Sequence, residues 1–168
     1  MLAAIAAICA CGGGDGPLSA EEYFRRMDEI DKDLDRKSEE IFGDGDVSAR
    51  EGADRFVAIA DGAKKQYQDM DPPDDLKDTH DAVIEAIDEF ADAMDSAADA
   101  APNEAELTDL FQDPELSAAD QELAGSLCAL QPEADKRGIQ ADVGCDSPQQ
   151  GSPANPATPP AQSPEATE

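Results

Sequence analysis

Between Leu18 and Ala134 apolar side chains recur at alternating spacings of four and three residues. That is the rhythm of helices that each bury one face. Tyr23, Met27, Ile30, Leu34 and Ile41 make the first stripe, with Lys37 filling one seam position and Phe24 and Phe42 widening it. Phe56, Ala60, Ala63, Tyr67 and Met70 make the second. Leu76, His80, Val83, Ile87, Phe90 and Met94 make the third, with Ile84 and Ala91 alongside. Leu107 and Leu110 give a short helix its apolar side, and Leu123, Leu127, Leu130 and Ala134 mark the last helix. Strand-like alternation is only hinted at, from Ile139 to Val143, over too short a run to predict a strand.

Boundary signals bracket these stripes. Ser19-Ala20-Glu21-Glu22 and Ser48-Ala49-Arg50-Glu51 read as capping boxes, in which the serine oxygen takes an orphan amide and the glutamate reaches back. Gly43 stands where a helix stop is expected. Asp28/Lys32 and Asp33/Lys37 are spaced for ion pairs on an exposed helical face. Asp71-Pro72-Pro73 ends the second helix and starts the third, since proline suits a first turn and not an interior. Ala101-Pro102 ends the third, and Asn103 is expected to cap a short helix through Phe111. Ser117 to Asp120 is expected to open the last helix, with Pro132 kinking or restarting it and Gly138 ending it.

The predicted fold is all-α: an antiparallel bundle of three to four main helices over residues 18–145. Aromatic residues are only 4% of the chain, so the core is lined mainly by Ala and Leu. Residues 11–17 read as a flexible glycine-rich tether. Residues 146–168 hold Pro148, Pro153, Pro156, Pro159, Pro160 and Pro164 and no large apolar residue, which predicts a disordered tail.

Acidic residues number 40 against 12 basic, a formal net charge of −28. That balance argues against nucleic acid, whose phosphates call for clustered Lys and Arg, and against anionic lipid head groups. It fits a solvated surface, cation binding or a basic partner.

Residues 1–10 are Met, Leu, Ile, Ala and one Cys, with no charged side chain, and they lead into Cys11 and Gly12-Gly13-Gly14. Such a run is too short for a bilayer, which takes ~20 residues, and has the length of a signal-peptide core. Ile8-Cys9-Ala10-Cys11 resembles the bacterial lipoprotein signal: an aliphatic residue, small residues, then the cysteine that becomes the lipidated N-terminus. The resemblance implies cleavage after Ala10, a diacylglycerol and a further acyl chain such as palmitate on Cys11, and a place on the outer side of a cell membrane. Cys9 is an unusual residue for its position, and no basic residue precedes the run, which a start several residues upstream would supply.

Cys128 and Cys145 then remain, and an even remainder in an exported domain predicts a disulfide. His80, the only histidine, sits on the third seam with Asp78 and Asp81 near in sequence. It reads as a packing histidine bonded across the bundle, or alternatively as a ligand or cation contact in a cleft between helices. Neither the Asp31-Lys32-Asp33 nor the Asp44-Gly45-Asp46 segment has the Gly and Glu that a calcium loop requires at its sixth and twelfth positions. No nucleophile elbow, phosphate loop or dinucleotide fingerprint is present, so the expectation is no enzyme, no metal and no cofactor.

Tyr67-Gln68-Asp69-Met70-Asp71-Pro72-Pro73, followed by Leu76 and His80, is similar to a pattern in uncharacterised, all-helical bacterial lipoproteins. There a helix ends at a Pro-Pro turn, and the next carries a histidine about one and a half turns in. Leu18-Ser19 through Phe24, and Cys128 through Gly138 to Cys145, resemble the same group, although Pro132 departs from its unbroken helix. The Cys11 signal and the lack of a reactive constellation lead to the expectation of a membrane-anchored, non-enzymatic module whose partners are the lipid bilayer, through acylated Cys11, and an envelope protein; the resembling group has no defined function. The resemblance carries over no catalytic residue.

Overall fold

A computed structural model describes residues 16–43, 47–102, 104–141, 143 and 145. The expected signal and tail, the tether up to Asp15, Asn103 and the Asp44-Gly45-Asp46 segment lie outside the described residues. The described chain is all-α, with no strand among the described residues. Helices α1 (Ala20–Gly43), α2 (Ala49–Gln68), α3 (Lys77–Ala100) and α5 (Pro114–Cys128) are the main elements, and α4 (Leu107–Leu110) and α6 (Gln131–Lys136) are short. A 3-10 turn, Asp74–Leu76, leads into α3.

Cross-helix pairs fix the directions. Leu18, before α1, donates its amide to the Asp71 carbonyl beyond the end of α2 at 2.7 Å, while Phe42 in the last turn of α1 meets Phe56 early in α2. Arg50 reaches Asp99 at 2.6 Å and Lys64 reaches Asp88 at 2.5 Å, so α2 and α3 are antiparallel. Arg137, just past α6, pairs with Asp75 before α3, and Glu122 of α5 faces Glu89 of α3, so α5 runs against α3. Leu18 and the Cys128/Cys145 pair therefore lie at one end of the bundle. The α1–α2 and α3–α4–α5 connections lie at the other, where Ser48 and Glu106 form an isolated antiparallel bridge closed by Ala49 N–H to Ala105 C=O at 3.0 Å.

The apolar stripes form one core. Tyr23, Phe24, Leu76, Val83, Met94, Leu116 and Leu130 are fully buried within it. Phe42 departs from the expected stripe: it is 51% exposed, because in the last turn of α1 it leans out over the edge rings of Phe56 and Phe111.

The caps also depart in part. Ser19 accepts the Glu22 amide and Ser48 the Glu51 amide, as the sequence suggests. Yet the Glu22 carboxylate turns to Arg25 and Arg26, and the Glu51 carboxylate to Arg55, so these boxes are not reciprocal. A charged partner one turn on outcompetes a single amide for a carboxylate. The reciprocal capping box belongs to α4, between Glu106 and Asp109, which places the start of that helix later than Asn103.

Helix α5 opens at Pro114, not near Ser117: the Asp113 carboxylate accepts the amides of Glu115 and Leu116, and proline fills the first turn. Pro132 restarts the chain as α6. Gly138, at φ 68°, closes α6 with bonds from Gly138 N–H to Asp135 and from Ile139 N–H to Ala134, the paired pattern of a Schellman stop.

Candidate functional site

Three chemically distinctive places stand out: the cysteine pair, the histidine and the acidic face. Cys11 lies outside the described residues. Cys128 and Cys145 are at disulfide distance, with Cα atoms 5.0 Å apart, within the range such bonds use. The pair draws the chain after α6 back onto the end of α5. Val143, two residues before Cys145, is 2% exposed. The described residues from Ile139 to Val143, a run too short to predict a strand, form none.

His80 occupies the centre of the polar chemistry inside the bundle. It is 2% exposed. Tyr23 Oη on α1 lies 3.1 Å from its Nδ1, and the Tyr23 and Tyr67 rings sit 5.7 and 5.9 Å from the imidazole. The Tyr67 backbone carbonyl favours the charged form of the imidazole. Tyr23 Oη and Nδ1 are within hydrogen-bond distance, with donor and acceptor set by the imidazole tautomer. Burial holds His80 below its ordinary range, against the opposing pull of Asp81 and of the Tyr67 carbonyl. Burial likewise pushes the Tyr23 and Tyr67 phenols up.

His80 is thus a buried residue of α3 within hydrogen-bond distance of α1, with the Tyr67 ring of α2 beside it. Three surface grooves are lined by other residues: Arg25 with Met70, Lys37 with Ile59, and Ser48 with Pro102. Among the described residues no group of three or more His, Cys, Asp or Glu is gathered as a metal site would need. The two tyrosines were legible only as seam residues. The available signal was their hydroxyls, which need a polar partner once buried.

The acidic face is the third place. From Asp78 to Asp135 the chain holds no lysine or arginine. Asp78, Asp81, Glu85, Asp88, Asp92 and Asp95 stand at spacings of three and four on α3, all exposed. Lys64 and Arg50 of α2 reach Asp88 and Asp95 of this stripe, Arg50 also reaches Asp99 beyond it, and Lys77 acts on Asp81. Beside it, the Glu122 charge on α5 holds Glu89 above the usual carboxylate range. Like charges at helical spacing repel, so the face carries stored electrostatic repulsion.

No family model, curated protein or solved structure matches this chain. No helix among the described residues is long and apolar enough to cross a membrane.

Proposed function

We propose that the chain is a cell-envelope lipoprotein: an acidic helical bundle, tethered to a membrane through acylated Cys11, that works by protein contact rather than catalysis. The observation that carries this reading is the apolar run Met1 to Ala10 closed by Cys11 and three glycines. The similarity to uncharacterised all-helical lipoproteins points the same way. The disulfide-distance pair supports an oxidising compartment, where such bonds persist. Two or three acyl chains on Cys11 would supply stable anchoring at ~0.8 kcal/mol per buried methylene.

Leu18 is at the end of the bundle where the tether enters, so the opposite end, with the exposed Phe42, would face away from the membrane. Replacing Cys11 by Ala tests the anchor by cell fractionation: the variant is expected in the soluble fraction, and its retention in the membrane would overturn the reading.

A further inference from the structure

Phe42 is the one large apolar side chain that stands exposed among the described residues. It does not stand alone. Its ring lies 5.5 Å from that of Phe56 and 5.9 Å from that of Phe111, and those two are 5.9 Å apart. Phe56 is buried and Phe111 partly so, which supports the patch from beneath and leaves Phe42 outermost. The rings come from α1, from α2 and from the turn before α5, at the end of the bundle away from Leu18.

Charge narrows what can cover this patch. A second copy would bring one net charge of −28 against another. The chain after Cys145 brings almost none: from Ser147 to Pro164 it holds no charged residue. Within it Pro153, Pro156 and Pro159 recur every three residues. Three residues make one turn of a polyproline II helix, so this spacing sets the proline rings along one edge. Aromatic-lined surfaces recognise such an edge, because that helix is preformed and loses little entropy on docking.

Length fits as well. Cys145 sits beside Cys128, the last residue of α5, with the two Cα atoms 5.0 Å apart. Helix α5 has 15 residues, so the way back to the patch is roughly 22 Å along it plus a step of ~10 Å between neighbouring helices. At ~3.1 Å per residue, Pro153 lies about 25 Å from Cys145 along a polyproline helix and Pro159 about 43 Å. The proline edge brackets the distance required.

We propose that the edge formed by Pro153, Pro156 and Pro159 docks on the patch of Phe42, Phe56 and Phe111, so that the chain after Cys145 folds back along α5 and covers the end of the bundle opposite Leu18. A partner that binds this end then has to displace the chain's own C-terminal segment. The docking is independent of acylation at Cys11, because it uses no contact with the N-terminal segment.

Nuclear magnetic resonance of the full chain tests it. Protons of Pro156 and Pro159 are expected to shift upfield in the ring currents of the patch and to show Overhauser contacts with Phe42 or Phe111, equally at all protein concentrations. Phe42→Ala should return the proline signals to random-coil positions. The double variant Pro156→Ala, Pro159→Ala leaves every bundle residue in place, and should move the Phe42 ring signals while those of the buried Phe24 stay put. Proline signals at random-coil positions in the native chain, unmoved by Phe42→Ala, would overturn the proposal. So would Phe42 contacts that come instead from residues 1–10, or that fade on dilution as contacts with a second copy do.

Discussion

A Cβ built on Gly52 would stand 2.6 Å from Leu107 Cδ1 and 2.9 Å from its Cγ. Helices α2 and α4 therefore touch at a point that admits no side chain, next to the Ser48–Glu106 bridge. Leu107 is itself buried and has little room to retreat. Alanine at a helical glycine ordinarily gains ~1 kcal/mol of helix propensity, but overpacking costs ~1–3 kcal/mol. Gly52→Ala should therefore be destabilising by up to ~2 kcal/mol in chemical denaturation. Gly62→Ala and Gly125→Ala, where nothing lies within 4 Å, should gain ~0.5–1 kcal/mol. A stabilised Gly52→Ala would show that α4 does not dock as described.

The cysteine pair closes a sequence separation of 17 residues. A loop of that size is worth ~3 kcal/mol in the chain-entropy treatment. Replacing both cysteines by Ser should lower stability by that order and loosen the strap that carries Val143. Thiol titration of the unreduced, denatured domain should find neither Cys128 nor Cys145 free. Two free thiols there would remove this part of the account.

Charge should make the fold salt-dependent. The ion pairs along α1 and α2 are largely exposed, and such pairs contribute only ~0–1 kcal/mol each. Against them stands the repulsion along the stretch from Asp78 to Asp135, which holds no lysine or arginine of its own. Screening shrinks from ~10 Å at 0.1 M salt to ~3 Å at 1 M, so the melting temperature should rise across that range. A flat or falling profile would mean that the face is neutralised locally, by ions or by its neighbours.

Stability should also depend on pH through His80. Its folded-state affinity for the proton is held below the ordinary value of 6.5, chiefly by burial, so as pH falls the unfolded chain takes the proton first. The contribution of the neutral ring is therefore complete above 6.5. It is lost as pH falls toward the folded-state value, below which both states are protonated and the loss stops. Glu22, Asp33, Asp74 and Glu133 are held below the usual carboxylate range by hydrogen bonds from their Arg and Lys partners, so their contributions go at lower pH, in a separate window. Denaturation from about pH 7.5 to about 5.5 should show the decline in the native chain and a flatter line in His80→Gln.

The long helices were legible because each buries one face, and burial writes the helical period into the sequence. On α3 every seam residue from Leu76 to Met94 is buried, His80 included. Legibility failed where burial comes from something other than periodicity. Leu116 and Val143 are fully or almost fully buried, but Leu116 precedes the point where α5 was expected to begin. Asp113-Pro114 was the overlooked signal, a cap followed by a first-turn proline. Val143 lies on an irregular strap, where no repeat marks the inward residue. Phe42 erred the other way, because the period continues to the end of a helix while the neighbour it packs on does not. At the candidate site, parity alone pointed to the cysteine pair, and seam position placed His80 in the core. That Tyr23 and Tyr67 flank it depends on the rotation of three helices about their axes, which a one-dimensional period does not contain.

The central claim is the anchor. Mass spectrometry of the mature N-terminal peptide from membranes of an expressing bacterium tests it directly. The account predicts a chain beginning at Cys11 that carries a diacylglycerol and an acyl group. A chain that retains Met1 to Ala10, or one cleaved with Cys11 unmodified, would contradict it.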